Sequence, residues 1–335
     1  MSILVTGGAG YVGSACLRHM LRSGISAIAF DNLYKGHRAA VPEGHLIVGD
    51  IHDTDHLARV MREHQVEAVM HFAAATDVGE SVGNPDYHYH NNIAGTLSLL
   101  RAMCATGVRR MLFSSTCATY GDNPKPPMDE QAEQIPCSPY ARTKLAVEWM
   151  IRDFADAYGL GYTILRYFNA CGADDDGQFG ESHQPEFHLI PIVLQVALGQ
   201  RDKLYLFGDD YPTPDGTCVR DYVHTDDLAS AHRLAIAATT PETREVFNVG
   251  TGVGHSVLQV IKACERVTGC AIPRVIAPRR PGDAPMLVAE PAKLKNRLGW
   301  TPRHSSIDGI IASAWRWHST NPVGYPAIGM NAGAA

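Results

Sequence analysis

Thr6-Gly-Gly-Ala-Gly-Tyr-Val-Gly13 decides the fold. The apolar run Ile3-Leu-Val5 stands before it and a helix-length amphipathic segment, 13–23, follows. A strand, a glycine-rich turn and a helix in that order form the phosphate-binding start of a dinucleotide fold. Gly7, Gly10 and Gly13 supply a tight turn, close approach of backbone to a pyrophosphate, and close packing of helix on strand. The phosphates belong at the positive helix N-terminus, beside Tyr11 and Val12.

Working outward, short apolar runs recur at 27–30, 46–48, 66–72, 110–114 and 162–166, separated by helix-length segments at 54–64, 92–106 and 139–158. The runs lack the polar alternation of a half-exposed strand, which predicts strands buried on both faces of a parallel sheet. The βαβα order predicts an α/β fold with a Rossmann-type doubly wound parallel sheet. After about residue 170, loop chemistry such as Gly172-Ala-Asp-Asp-Asp-Gly177 and Tyr211-Pro-Thr-Pro-Asp-Gly216 predicts a smaller C-terminal α/β substrate lobe with fewer regular elements. The expected division is 1–170 for the dinucleotide-binding domain, with a segment near 220–250 returning to it, 171–320 for the second lobe, and 321–335 for a loose tail.

Composition narrows the function. The 335 residues carry 29 Lys+Arg against 35 Asp+Glu, a net charge of −6, and 45% are hydrophobic. That apolar content argues against disorder, and the acidic balance gives no electrostatic reason to bind nucleic acid or a membrane. No apolar stretch approaches the roughly 20 residues of a membrane span. The eight Cys are scattered singly, which predicts small buried apolar residues and a cytoplasmic protein.

Asp31 ends the second strand, 21 residues past Gly10. A carboxylate there accepts hydrogen bonds from the adenine ribose hydroxyls and repels a 2′-phosphate, which favours NAD over NADP. Lys35 and Arg38 nearby leave NADP open. Asp50 and Ile51 follow the third strand, where they are placed to contact adenine. Phe72, Ala73 and Ala74 put small residues where backbone must approach the cofactor.

Ser138-Pro-Tyr-Ala-Arg-Thr-Lys144 reads as a helix start, with Ser138 as N-cap and Pro139 in the first turn. Tyr140 and Lys144 then share one helical face. A phenol loses its proton near pH 10, so as a base it needs the Lys144 ammonium and the helix dipole to favour phenolate. Thr116 closes Phe113-Ser-Ser-Thr116, at the strand edge where open α/β sheets bind ligands.

These motifs are joined by Gly49-Asp-Ile51, Val78-Gly-Glu-Ser81, Asn91-Asn92, Arg166-Tyr-Phe-Asn169, Phe207-Gly-Asp-Asp-Tyr-Pro-Thr213, Val219-Arg-Asp-Tyr222 and Arg279-Arg280. In them the chain resembles, over nearly its whole length, the extended short-chain dehydrogenase/reductase family, most closely its UDP-glucose 4-epimerase branch. The resemblance implies a homodimer with tightly held NAD. In it Tyr140 removes the proton of the sugar 4-hydroxyl, Thr116 hydrogen-bonds the 4-oxygen, and Lys144 binds the nicotinamide ribose and tunes Tyr140. The 4-keto sugar rotates and is reduced again on its other face. Asn32, Asn91, Ser114 and Tyr167 join the implied cofactor set. Asn169, His188, Leu189, Tyr205, Phe207, Arg220, Tyr222, Arg280 and Asp283 form the implied UDP-sugar set. Leu287 aligns with a pocket-wall position where that branch has a Tyr restricting the sugar's 2-substituent, so N-acetylated UDP-hexosamines are expected as further substrates.

Rival readings are a UDP-pentose 4-epimerase, a nucleotide-sugar 4,6-dehydratase and a non-catalytic NAD-binding regulator. The dehydratase needs an acid/base carboxylate beside the catalytic Thr, whereas Cys117-Ala118-Thr119 follows Thr116. The 16 His raise the question of a metal, at His88-x-His90 or at His183 with His188. Neither pair has an evident Cys, His or Asp to complete a zinc set, so no metal is expected. Trp300, Trp315 and Trp317 read as packing residues.

Overall fold

The computed structural model describes residues 1–121, 123, 126–280 and 283–325. In chain order the first half runs β1 (Ser2–Thr6), α1 (Tyr11–Arg22), β2 (Ser26–Asp31), β3 (Leu46–Val48), α2 (Thr54–Glu63), β4 (Ala68–His71), α3 (Val78–Gly83), α4 (Pro85–Tyr89), α5 (Gly95–Thr106), β5 (Arg110–Thr116), α6 (Pro139–Tyr158) and β6 (Gly161–Tyr167). There follow β7 (Asn169–Cys171), α7 (Leu189–Ala197), β8 (Leu204–Phe207), β9 (Val219–His224), α8 (Thr225–Ala238), β10 (Arg244–Val249), β11 (Gly254–Ser256), α9 (Val257–Thr268), β12 (Arg274–Ala277), β13 (Met286–Leu287), α10 (Ala292–Leu298) and α11 (Ile307–Thr320).

Seven strands pair in the order β10-β6-β5-β4-β1-β2-β3, all parallel. The burial of β1 shows why its sequence carries no polar alternation. Ile3 and Val5 face one apolar cluster with Cys16 and Leu17 of α1 and Leu228 of α8, while Leu4 faces another with Leu57 of α2, Leu99 of α5 and Val147 of α6. Successive side chains point to opposite faces, and both faces are covered by helices. The chain reverses direction across the sheet between β1 and β4, which opens a crevice at the carboxyl ends of the strands.

The later residues are more regular than their loop-rich sequence suggests. α7, α9 and α11 pack through Ile190, Leu194, Val260, Ile261 and Ile311 around β8 and β9. Pro191 in α7 and Gly309 in α11 interrupt the apolar period of those helices, which masks it in the sequence. Trp300 and Trp317 are buried, and Trp315 packs partly buried against the same cluster. Of the Cys residues expected to be buried, Cys104 and Cys137 are exposed and Cys270 is half-buried; all eight are free. Within the tail expected to be loose, Tyr325 is held against Trp317 at 4.8 Å between ring centroids, and its hydroxyl accepts from the Gly180 N–H at 3.2 Å. Residues 326–335 of that tail lie outside the described residues.

The helix read over 92–106 begins differently. Residues His90–Ala94 form a wider π-type turn ahead of α5. Buried Asn92 is the reason: its amide accepts from Ala75 N–H at 2.7 Å, donates to the Ala75 carbonyl at 3.0 Å, and donates to Thr143 Oγ1 at 2.9 Å. The turn thereby ties the loop after β4 to α6.

Candidate active site

The glycine turn lies at the crevice. Gly7 has φ +71°, and a side chain there would collide with the backbone of Ala73; one at Gly13 would collide with the Gly7 carbonyl. Gly10 is the N-cap of α1, with no side-chain cap and no acidic residue in the first turn. The N–H groups of that turn are left to an anion, which suits a pyrophosphate. Val12 packs on the core behind the turn, and Tyr11 donates from its hydroxyl to the Gly172 carbonyl at 2.5 Å.

Asp31, nearly buried, accepts from Ala9 N–H at 3.0 Å and Leu33 N–H at 2.8 Å. Burial raises its pKa, and the two N–H bonds work against that rise. Its remaining lone pairs suit ribose hydroxyls. Asn32 donates to Asp50 at 3.0 Å, and Ile51 is buried beside them. Phe72 packs at a tilt on His232, with 4.9 Å between ring centroids, and leads into Ala73 and Ala74 after β4. Asn91 donates to Asn92 at 3.1 Å. This uncapped helix end, the backbone surface and the ribose-side carboxylate fit NAD.

On the other side of the crevice, Ser138 caps α6 by accepting from Ala141 N–H at 3.2 Å, a contact worth about 1 kcal/mol in general. Tyr140 and Lys144 are both buried. The Lys144 ammonium donates to the Ser114 carbonyl at 2.7 Å and lies 4.7 Å from the Phe113 ring centroid. Ser114 Oγ meets the Tyr167 hydroxyl at 2.5 Å. The Thr116 hydroxyl accepts from the Ala118 N–H at 3.1 Å and lies near enough to the Tyr140 phenol to favour its ionised form.

Burial dominates the electrostatics of Tyr140 in the chain alone. It raises the pKa well above the ordinary value, and the Thr116 hydroxyl opposes this only in part. Burial also brings Lys144 down to about 7, against the pull of Glu148. In the chain alone, desolvation outweighs the help expected from the ammonium and the helix dipole, because both charged forms lose water.

The second half supplies a distinct group. Asn169 on β7 pairs in register with Tyr222 on β9, and Leu287 on β13 pairs with Arg220. Leu287 packs with Cys117 and Phe168, next in sequence to Thr116 and Asn169. Arg280 donates to Asp283 at 2.9 Å with its guanidinium 4.9 Å from the Phe207 ring centroid, and Arg220 lies 3.8 Å from the same carboxylate. Tyr205 and Phe207 are outward and exposed on β8, while Leu204 and Leu206 face in. His188 is the N-cap residue of α7 and Leu189 its first residue.

Three important groups escape the sequence reading. Glu148, one turn beyond Lys144 on the same face of α6, makes a two-point ion pair with Arg166 at 2.9 and 2.6 Å and accepts from Ser115 Oγ at 2.6 Å. The Tyr140, Lys144, Glu148 spacing is the signal that could have found it. Asn92 is the second. The third is Glu181 with Glu186, which stand beside the His183 and His188 named above, one donor atom of each of the four lying within 4.8 Å of the others.

With this geometry in view, residues 3–250 match the model of the NAD dependent epimerase/dehydratase family. A UDP-glucose 4-epimerase of Halalkalibacterium halodurans is 49% identical over 326 residues, covering 97% of this chain and 98% of that one. A UDP-glucose 4-epimerase structure from Brucella ovis in complex with NAD superposes with TM-score 0.90 at 45% identity, covering 94% and 98% of the two chains. One from Bifidobacterium longum in complex with NAD+ and UDP gives TM-score 0.93 at 37% identity, covering 97% and 100%.

Proposed function

The chain belongs to the NAD dependent epimerase/dehydratase family, and from that premise we propose that Tyr140, Thr116 and Lys144 carry its chemistry on a UDP-sugar. It interconverts UDP-glucose and UDP-galactose with NAD as cofactor. The observation that carries the residue assignment is that Tyr140, Lys144 and Thr116 are buried together at the crevice, with the lysine held on the Ser114 carbonyl at 2.7 Å.

NAD, when bound, supplies reversible two-electron oxidation at sugar C4, and the charge of its oxidised form opposes the burial cost of a phenolate. Tyr140 takes the proton of the 4-hydroxyl and later returns it, while Thr116 orients the 4-oxygen. Lys144 holds the ribose end and lends positive charge to the phenol. Gly7, Gly10, Tyr11, Val12 and Gly13 hold the pyrophosphate, and Asp31 the adenine ribose. Arg220 and Arg280 fork onto the UDP diphosphate, with Phe207 beneath Arg280 as a stacking surface. The 4-keto sugar must turn within this pocket, which requires the diphosphate to stay clamped while the sugar loosens. Release of the reduced cofactor at that stage would strand the ketone, so NAD is held through the whole cycle. Residues 171–320 hold most of the UDP side and 1–170, with β10, the cofactor side.

Leu287, small and next to Cys117 and Phe168, leaves room for an acetamido group at sugar C2. Product analysis of purified protein without added NAD tests these assignments together. UDP-galactose from UDP-glucose, and UDP-N-acetylgalactosamine from UDP-N-acetylglucosamine, are expected, and Leu287→Tyr is expected to lose the second conversion at least tenfold while keeping the first. No acetamido-sugar turnover by the parent protein would defeat the Leu287 reading; a strict need for added NAD would defeat the tightly held cofactor.

A second copy of this chain is the partner we assign to the α5/α6 face. An open groove of about 550 Å³ there is lined by Leu97, Arg101, Cys104, Ala105, Phe154 and Tyr158, and Trp149 on α6 is exposed. Two helix pairs meeting on such a face bury apolar surface that one chain leaves in water. Sedimentation is expected to give a dimer for the parent and a monomer for Phe154→Glu; a monomeric parent would remove the assignment. Eight free thiols, and the lack among the described residues of any helix long and apolar enough to cross a membrane, support a cytoplasmic setting, with activity expected in the soluble cell fraction.

A further inference from the structure

The segment between β7 and α7 carries Glu181, His183, Glu186 and His188. His188 Nδ1 lies 2.6 Å from Glu181 Oε1 and 3.2 Å from Glu186 Oε1; His183 Nδ1 lies 3.1 Å from Glu181 Oε1 and 3.7 Å from Glu186 Oε2. Both carboxylate side chains are at most 4% exposed. Yet Glu181 Oε1 and His183 Nδ1 are buried with no hydrogen-bond partner. These two atoms are near enough to bond and are not aimed to do so. One donor atom from each of the four residues lies within 4.8 Å of the others, while His188 Nδ1 bonds Glu186 Oε1 at 3.2 Å.

Such convergence is what ligands around one ion display. Zinc bonds of about 2.0–2.1 Å in a tetrahedron put neighbouring ligand atoms roughly 3.3 Å apart, and a donor atom from each of the four residues here lies within 4.8 Å of the others, close enough to gather round one ion. Two neutral imidazoles and two carboxylates balance a divalent charge. Four protein ligands leave no open position, which fits a structural ion rather than a Lewis-acid one. Supporting contacts are present as well. The N–H groups of Phe187 and His188 each donate to Glu186 Oε1 at 2.9 Å, and the Glu181 carbonyl accepts from Trp317 Nε1 at 2.9 Å.

We propose that Glu181, His183, Glu186 and His188 bind one divalent cation of the zinc class. Its place in the fold gives it a task. The His183 ring meets Tyr11 of the glycine turn edge-on at 6.2 Å, and His188 caps α7 at the start of the nucleotide side. An ion here ties the glycine turn, through Tyr11, to the start of α7. It does so independently of which sugar is turned over.

The test uses the full-length protein carrying its own NAD, dialysed against metal-free buffer. Elemental analysis is expected to find close to one zinc per chain, with an anomalous scattering peak at the zinc edge among these four side chains. His183→Ala combined with Glu186→Gln is expected to lower bound zinc at least tenfold. Should that variant fail to fold, the parent protein stripped by a chelator serves instead: zinc sulfate is expected to restore one equivalent and raise Tm. A parent that holds no zinc and takes up neither zinc sulfate nor manganese chloride overturns the proposal, leaving an ion-pair cluster of two carboxylates and two imidazolium groups. A scattering peak elsewhere in the molecule overturns it too.

Discussion

Tyr140→Phe is expected to cut kcat for UDP-glucose and UDP-galactose interconversion by roughly 10²–10⁴-fold, the usual contribution of a positioned acid or base. The ring that fills the site stays in place, so folding and cofactor retention should survive. Tyr140 is buried, with the Thr116 hydroxyl near its phenol. The substitution thus removes a proton acceptor while leaving the packing. Lys144, by contrast, donates to the Ser114 carbonyl, and its loss would disturb the crevice more widely. The measurement is kcat together with the NAD content of the purified variant. Activity within a few-fold of the parent would remove Tyr140 from the mechanism; lost NAD would show that the phenol binds cofactor more than it moves protons. A non-catalytic NAD-binding regulator predicts no turnover in the parent either, so the same assay separates that reading.

The second large effect lies beneath the site. Glu148→Ala is expected to lower stability by about 3–5 kcal/mol, because it leaves the Arg166 guanidinium buried without its partner. Arg166 is 1% exposed and Glu148 0%. Around them Arg166 Nη1 donates to the Tyr120 hydroxyl at 3.1 Å, and that hydroxyl donates to Asn248 at 2.7 Å. The network thus joins α6, β6 and β10 below Tyr140 and Lys144. Arg152, half-exposed and 3.6 Å from the same carboxylate, provides the contrast. Its replacement by Ala should change stability by no more than about 1 kcal/mol, as for other solvated pairs. Urea denaturation of the two variants decides the matter: equal losses would mean that the buried pair carries no special weight.

The parts of the fold legible in the chain are those set by local spacing. Gly7, Gly10 and Gly13 act within one turn, and Tyr140 with Lys144 acts within one turn of α6. The strands show themselves because both faces of β1 are covered, which demands apolar residues at every position. α7 and α11 were less visible, since their apolar faces are short and lie among Gly- and Pro-rich loops. The wide turn at His90–Ala94 depends on Asn92 reaching Ala75 and Thr143, contacts that no helical period reveals.

By itself, then, the sequence determined the βαβ order, the dinucleotide turn, and the Tyr/Lys face with its hydroxyl partner. Each rests on covalent spacing converted to geometry by a regular backbone period. The tertiary structure alone decided which charges lose their water. It placed Glu148 against Arg166, set Leu287 beside Cys117, and drew Glu181 and Glu186 around His183 and His188 on a segment with no helical or strand period to announce the arrangement. It also buried Tyr140 and Lys144 together. Desolvation depends on everything packed around a group, and that sum is taken over neighbours distant in the chain.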